Sequence, residues 1–208
     1  MIAPTFHVSP KHPEPRKIAH LVEILEKDGV IFYPTDTVYA LGCALDSKKG
    51  VEQIRKLKQM KADHHLALLC AEIGDVARYG VVTDFAYRTM RKILPGPYTV
   101  ILSATREVPK LLLDKRRQVG VRVPHHPICE ALVRGLGRPL LTTSAHAPDA
   151  DAPCLDVAEG KEIFPRGIDA WIDGDLTPGQ PSTVLAFDDD GAIEIVREGL
   201  GPVEGVLA

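Results

Sequence analysis

The residues of this chain able to do chemistry fall in short runs that hold hydroxyls or cations. The first run holds Thr35, Asp36, Thr37 and Tyr39, just after an apolar stretch at residues 30–33. In open α/β sheets ligands collect at loops beyond strand ends, where two hydroxyls and a phenol can hydrogen-bond a small polar ligand. The same residue types also build an ordinary capped turn. The second run is basic, with Arg55, Lys56, Lys58 and Lys61. Cations at the end of a helix either complement its dipole or clamp a phosphate. The third is Gly120-Val121-Arg122-Val123-Pro124. A charge inside a valine-rich strand is costly to bury alone, so Arg122 must meet an anion. That anion is an internal carboxylate or a ligand carboxylate or phosphate, and the guanidinium fork suits all three. The fourth run ends in Ser144-Ala145-His146, a hydroxyl and a ring donor at the end of a strand, where turn formation and simple exposure explain them equally well. Ser182 and Arg197 sit in two further short runs that carry little weight alone.

These residues need elements to position them. Ile18, Leu21, Val22 and Leu25 share one helical face, and Asp28-Gly29 ends the pattern. Residues 30–33 read as a buried strand, and residues 34–42 as a turn-rich segment. Helices are expected near 48–58, 72–79, 84–94, 127–136 and 156–163, with a short one around 108–114. Strands are expected near 66–70, 98–103, 118–123, 139–142, 168–172, 182–187 and 193–197. Helices interspersed with strands along the whole length imply α/β layering, and the consecutive strands near the end imply a mixed sheet. The expected organisation is an extended proline-rich segment over residues 1–14 and one domain over residues 15–208.

Composition narrows the class. At 208 residues the chain suffices for one well-buried core. A hydrophobic share of 45% and a charged share of 25% exclude a disordered chain. The net charge of −3 gives no general attraction to nucleic acid, so a polyanion site requires local clustering of basic residues. Cys43, Cys70, Cys129 and Cys154 lie far apart, which argues against a zinc site or disulfide framework and for reduced thiols. The adjacent pairs His64-His65 and His125-His126 would point to opposite faces of a strand, so no protein-built metal site is expected. With no leader-like or spanning apolar run, a soluble cytoplasmic protein is expected, with no membrane partner.

Taken in order, the runs YPTDTVYALGC, LPGPYTVIL, GVRVPHHP, TTSAHAP, PSTVLAF and VREGLG resemble the YrdC-like family, and its YciO branch above all. The resemblance spans about residues 15–200. It implies a twisted, open mixed sheet flanked by helices, with a large concave pocket. It also implies synthesis of L-threonylcarbamoyladenylate from L-threonine, bicarbonate and ATP, with Mg²⁺ carried by ATP, toward the threonylcarbamoyl modification of a tRNA adenosine. By motif, Thr35, Thr37, Tyr39, Arg122 and Ser182 would then bind L-threonine. Lys58, Lys61, Ser144, His146 and Arg197 would bind the nucleotide, with Lys58, Ser144 and His146 at the reacting centre.

Two departures bear on rate. The family's K-x-R pair becomes Lys58-Gln59-Met60, and its S-x-N becomes Ser144-Ala145-His146. Lys61 supplies a point charge but no planar fork, and an imidazole offers its donor and acceptor in a geometry unlike an amide's. Losing one preorganised contact at a phosphoryl centre costs on the order of a hundred- to a thousandfold in rate. A weakened synthase is therefore expected. The family is also described as binding double-stranded RNA, and Lys48, Lys49, Arg55, Lys56, Lys58 and Lys61 with Lys115, Arg116 and Arg117 could flank such a ligand. A related reaction on another carbamoyl or acyl-adenylate substrate is the third reading.

Overall fold

The structure, a computed structural model, describes residues 3–60, 66–113, 116–148, 150, 152–188, 191–204 and 206. Ten strands form one mixed sheet, in the order β1-β8-β2-β3-β7-β4-β6-β5-β9-β10. In chain order these are β1 (Thr5–His7), β2 (Ile31–Tyr33), β3 (Ala40–Ala44), β4 (Ala67–Leu69) and β5 (Tyr98–Ser103). They continue as β6 (Gln118–Arg122), β7 (Leu140–Ser144), β8 (Ala170–Asp173), β9 (Thr183–Phe187) and β10 (Ile193–Arg197). The helices are α1 (Pro15–Glu26), α2 (Lys48–Leu57), α3 (Ile73–Tyr79), α4 (Asp84–Ile93), α5 (Pro127–Leu136) and α6 (Val157–Ile163).

The helix boundaries follow from local chemistry. Ser47, Thr83 and Asp156 each accept a hydrogen bond from the backbone amide three residues on, which caps α2, α4 and α6. Pro127 opens α5, and Gly137, at φ 71°, closes it in the left-handed region.

The helices cover the two sheet faces unequally, and that asymmetry makes the site. One face is covered along its length: Val51 and Ile54 of α2, Val76 of α3, Met90 of α4 and Val157 of α6 join Phe32, Leu41, Leu68, Val121, Val100 and Leu185 in one core. The opposite face is covered at one end only. There Leu21 and Leu25 of α1 and Ile128 and Leu132 of α5 pack on Ile31, Tyr33, Ala40, Leu69 and Leu140. Beyond Leu69 of β4 that second face is only half-buried. Side chains alternate across a strand, so β5 reads buried, half-buried, buried along its length, and β9 does the same. Ala67, Thr99, Ile101, Gln118, Gly120, Val184 and Ala186 form the half-buried set, a concave floor of mostly small residues.

The elements expected from sequence are present with small shifts, except in three places. Residues 34–42 are not all turn: β3 occupies their end and is buried throughout between β2 and β7. A strand of small residues buried on both faces shows no alternation, and so leaves no period in the sequence. Thr5–His7, within the extended N-terminal segment, adds a parallel edge strand beside β8. Around residues 108–114 only a 3₁₀ turn forms, Lys110–Leu112.

Gly42 lies where β3 passes the Tyr33 ring. A Cβ there would stand 2.8 Å from Tyr33 Cε1 and 3.3 Å from the Leu141 carbonyl oxygen. The close approach lets the Tyr33 hydroxyl share a 2.6 Å hydrogen bond with Thr142 Oγ1, buried inside the sheet. Overpacking of this kind costs about 1–3 kcal/mol. Gly42→Val is therefore expected to lower the urea midpoint by a matching amount with an unchanged m-value, as equilibrium denaturation will show.

Candidate functional site

The chain leaves β2 at Tyr33 and returns along β3, and the loop between them is held by its own hydroxyls. Thr35 Oγ1 donates to the Val38 carbonyl (2.7 Å) and accepts from the amides of Thr37 and Val38, each at 3.2 Å. Its single proton is thereby committed, so the 3.0 Å contact between the two threonine hydroxyls has Thr37 donating to Thr35. Thr37 Oγ1 is left as an acceptor, and Arg122 fills it from Nη2 at 2.9 Å. The same Nη2 donates to Asp36 Oδ1 at 2.8 Å, and Asp36 Oδ2 accepts the His125 amide at 3.0 Å. A single chain of donors thus runs from β6 into the β2–β3 loop.

Arg122 is only 7% exposed, and its Nε is buried with no hydrogen-bond partner among the described residues. Of the alternatives left open by the sequence, the internal carboxylate is observed, and it is Asp36. An unsatisfied buried donor such as this Nε costs about 1–3 kcal/mol, more when charged.

A cleft of about 150 Å³ opens against this group, lined by Val38, Ala67, Thr99, Arg122, Ser144, Ser182, Val184 and Arg197 among others. Thr99 Oγ1 and Ser182 Oγ share a 2.8 Å hydrogen bond on its wall. Arg197 donates to the Ser182 carbonyl from Nη2 (2.9 Å) and Nε (3.3 Å). Burial, and then the nearby positive charge of Arg122, hold the Arg197 pKa below its ordinary value. Arg197 makes no ion pair among the described residues, so the cleft carries two guanidiniums against the single carboxylate of Asp36. Gly199 permits this arrangement: a Cβ there would fall 2.2 Å from the Pro181 carbonyl oxygen.

Lys58 follows α2 and reaches the end of β7. Its Nζ donates to the main-chain carbonyls of Ser144 (3.1 Å) and His146 (3.0 Å). The side chain is 6% exposed with no carboxylate partner among the described residues, and burial pushes its pKa down to about 8. The Ser144 hydroxyl is left without a hydrogen bond to any described residue. His146 Nδ1 lies 2.9 Å from the Ala147 carbonyl, so in the neutral ring Nδ1 carries the proton and Nε2 is the acceptor.

The structure thus gathers Arg122, Ser144, Ser182 and Arg197 on one cleft, while Lys58 is held by the main chain at Ser144 and His146. Thr35 and Thr37 are buried behind Arg122 and orient it. The Tyr39 ring stacks on Phe32 at 4.9 Å, and its hydroxyl donates to the Asp175 carbonyl, anchoring the loop after β8. Lys61 and Lys115 lie outside the described residues, as do His64 and His65. Asp36 and Thr99 had no assigned role from sequence. Asp36 could have been matched to Arg122 as the internal carboxylate, whereas Thr99 needs the open face to be known first. Among the described residues no three His, Cys, Asp or Glu side chains could hold a metal ion.

Residues 23–199 match the Sua5/YciO/YrdC family, described as telomere recombination, and the chain belongs to that family. YciO of Escherichia coli K12 is 39% identical over 203 residues, covering 97% of this chain and 98% of that one. Its crystal structure superposes with a TM-score of 0.94 over 99% of this chain and 100% of that one. A threonylcarbamoyl-AMP synthase of Halorhodospira halophila is 34% identical over 80% of this chain and 87% of its own. P. abyssi Sua5 complexed with L-threonine matches at 25% identity and a TM-score of 0.86, covering 94% of this chain and 57% of that one. Among the described residues no helix is long and apolar enough to cross a membrane.

Both side chains of the Arg122–Asp36 pair are 9% exposed. Removing one partner of such a pair strands the other charge, at about 3–5 kcal/mol. Arg122→Met is expected to destabilise by that amount, and Arg122→Met with Asp36→Asn by clearly less. A double-mutant cycle in urea measures the coupling.

Proposed function

We propose that the cleft joins a small α-amino acid of the L-threonine type, as its carbamate, to the adenylate of ATP. The observation that carries this reading is two guanidiniums, of Arg122 and Arg197, on one cleft that no carboxylate lines. A substrate carboxylate is held by those guanidiniums, and the Thr99–Ser182 hydroxyl pair lies on the same wall. The phosphates take Lys58 and the free hydroxyl of Ser144 at the end of β7. The threonine-bound Sua5 and the related threonylcarbamoyl-AMP synthase support the choice of substrates.

The amino acid's amine combines with bicarbonate, losing water, to give a carbamate. A carbamate oxygen then attacks the α-phosphorus of ATP, and pyrophosphate leaves. Mg²⁺ bound to ATP supplies charge neutralisation at the phosphates. The protein's own residues act by positioning: Asp36 and Thr37 fix the Arg122 fork, and the β7 carbonyls hold Lys58 near its phosphate-gripping position. Met60 contributes no charge, so turnover is slow.

Calorimetric titration of ATP with Mg²⁺, L-threonine and bicarbonate, followed by pyrophosphate release, tests the reading. Threonine is expected to tighten ATP binding, and pyrophosphate is expected only when threonine and bicarbonate are both present. Arg122→Lys, which keeps the charge but not the fork, should weaken threonine binding about tenfold or more, the worth of one charged hydrogen bond. ATP binding without turnover would leave a nucleotide-binding protein. Binding of neither ligand would overturn the proposal and direct attention to double-stranded RNA.

Lys58 also sets a pH dependence. Only its ammonium form attracts phosphate, and the amine loses its proton near pH 8, not near the ordinary lysine value of 10.5. Bound phosphate raises that value again, so binding takes up a proton above pH 7. ATP affinity is therefore expected to fall as pH rises from 7 to 9, and titrations in buffers of different ionisation enthalpy will show the uptake. Lys58→Met should bind weakly and without this slope.

A further inference from the structure

On the half-buried face of the sheet a second recess, of about 190 Å³, adjoins the cleft. Ala67 and Thr99 line both. On β6, Gly120 stands between Arg122 of the cleft and Gln118 of the recess, since alternate residues share a face. Gly120 has no side chain, and a Cβ there would stand 3.5 Å from Thr99 Cγ2 and 3.6 Å from Ala67 Cβ. The floor therefore runs low from the cleft into the recess. Ile101 and Leu112 give the recess apolar walls. An apolar cavity of ~150 Å³ takes a benzene ring, so a recess of this size has room for a flat ring system.

Among the described residues that line it, Gln118 carries the one side-chain amide, and that amide makes no hydrogen bond to any described residue. An amide sets a donor beside an acceptor, and a polar group in apolar surroundings usually has a partner. A flat ring with an amino group next to an unprotonated ring nitrogen matches it. Adenine presents that pair as N6 and N7, which a glutamine engages together, whereas guanine presents two acceptors, O6 and N7. Against guanine the amide oxygen of Gln118 would face another oxygen.

We propose that this recess is the base subsite of the cleft and that Gln118 selects adenine there. The inference rests on the ATP reading of the cleft and names the residue that distinguishes ATP from other nucleotides. Ala67 pairs with Thr142 of β7, two residues before Ser144, so the recess adjoins the strand end assigned to the phosphates. Gln118 and Arg122 are four residues apart on β6, about 13 Å along the strand. A nucleotide with its phosphates at Ser144 lays its base over Ala67 and Gly120 and meets the Gln118 amide, while the amino acid keeps Arg122.

The test uses the intact protein with adenosine and guanosine, which carry no phosphate, and then with ATP and GTP in Mg²⁺. Saturation-transfer NMR is expected to show the base protons of adenosine nearer the protein than those of its ribose. By calorimetry ATP should bind about tenfold more tightly than GTP, the discrimination of one bidentate pair. Gln118→Leu should abolish that preference, and Gln118→Arg, which suits O6 and N7 of guanine, should reverse it. Either variant suffices if the other folds poorly. Equal affinity of the wild-type protein for ATP and GTP, or an ATP preference that survives the substitutions, overturns the inference. Base selection without pyrophosphate release leaves the subsite standing and removes the synthase reading. Pyrophosphate release with a base preference indifferent to Gln118 does the reverse, and binding of none of the four ligands overturns both.

Discussion

Burying the Arg122 guanidinium is the constraint from which the rest of the site follows. A cation this enclosed needs a partner, and the partner has to come from an element that can reach it without filling the cleft. The β2–β3 loop meets both demands. Its threonine hydroxyls hold the backbone so that Asp36 comes to one side of the guanidinium, and the His125 amide takes the second carboxylate oxygen. One terminal nitrogen is fully spent on this scaffold. The protein thereby obtains a fixed guanidinium beside an open cleft, where a surface arginine would move freely.

The fold makes room for that cleft by leaving a sheet face half covered. The core on the other face runs across the strands that underlie the cleft, so those strands need no packing from both sides to be stable. Small residues on the open side (Ala67, Gly120, Val184) keep the floor low. At the rim, glycines allow backbone to cross backbone closely enough for Arg197 to reach the Ser182 carbonyl. The cleft is obtained without the cost of an internal cavity.

Much of this was legible in the sequence, and the parts that were not share a cause. The amphipathic helices declared themselves by period, and Arg122 by being a charge among valines. Strand β3 was hidden because both of its faces are buried and its residues are small. Thr35, Thr37 and Tyr39 were recognisable as a motif, yet their contacts came only with the coordinates: the threonines support Arg122, and the tyrosine braces the loop after β8. Motif resemblance points to the neighbourhood of a ligand without distinguishing the residue that touches it from the one that holds that residue still. Lys58 shows the complementary gap. Family resemblance assigned it to a phosphate, but nothing in sequence tells that its amine rests on the carbonyls of Ser144 and His146.

The strict alternation along β5 and β9 has an evolutionary consequence. Because successive residues serve different faces, the positions on the open face and those that hold the domain together are separate sets interleaved on the same strands. A lineage can exchange Thr99, Ile101 or Val184 and leave Val100, Leu102 and Leu185 untouched. Substrate preference in such a protein can drift while its architecture stays constant, which lets chains of one shape diverge in the small molecules they handle.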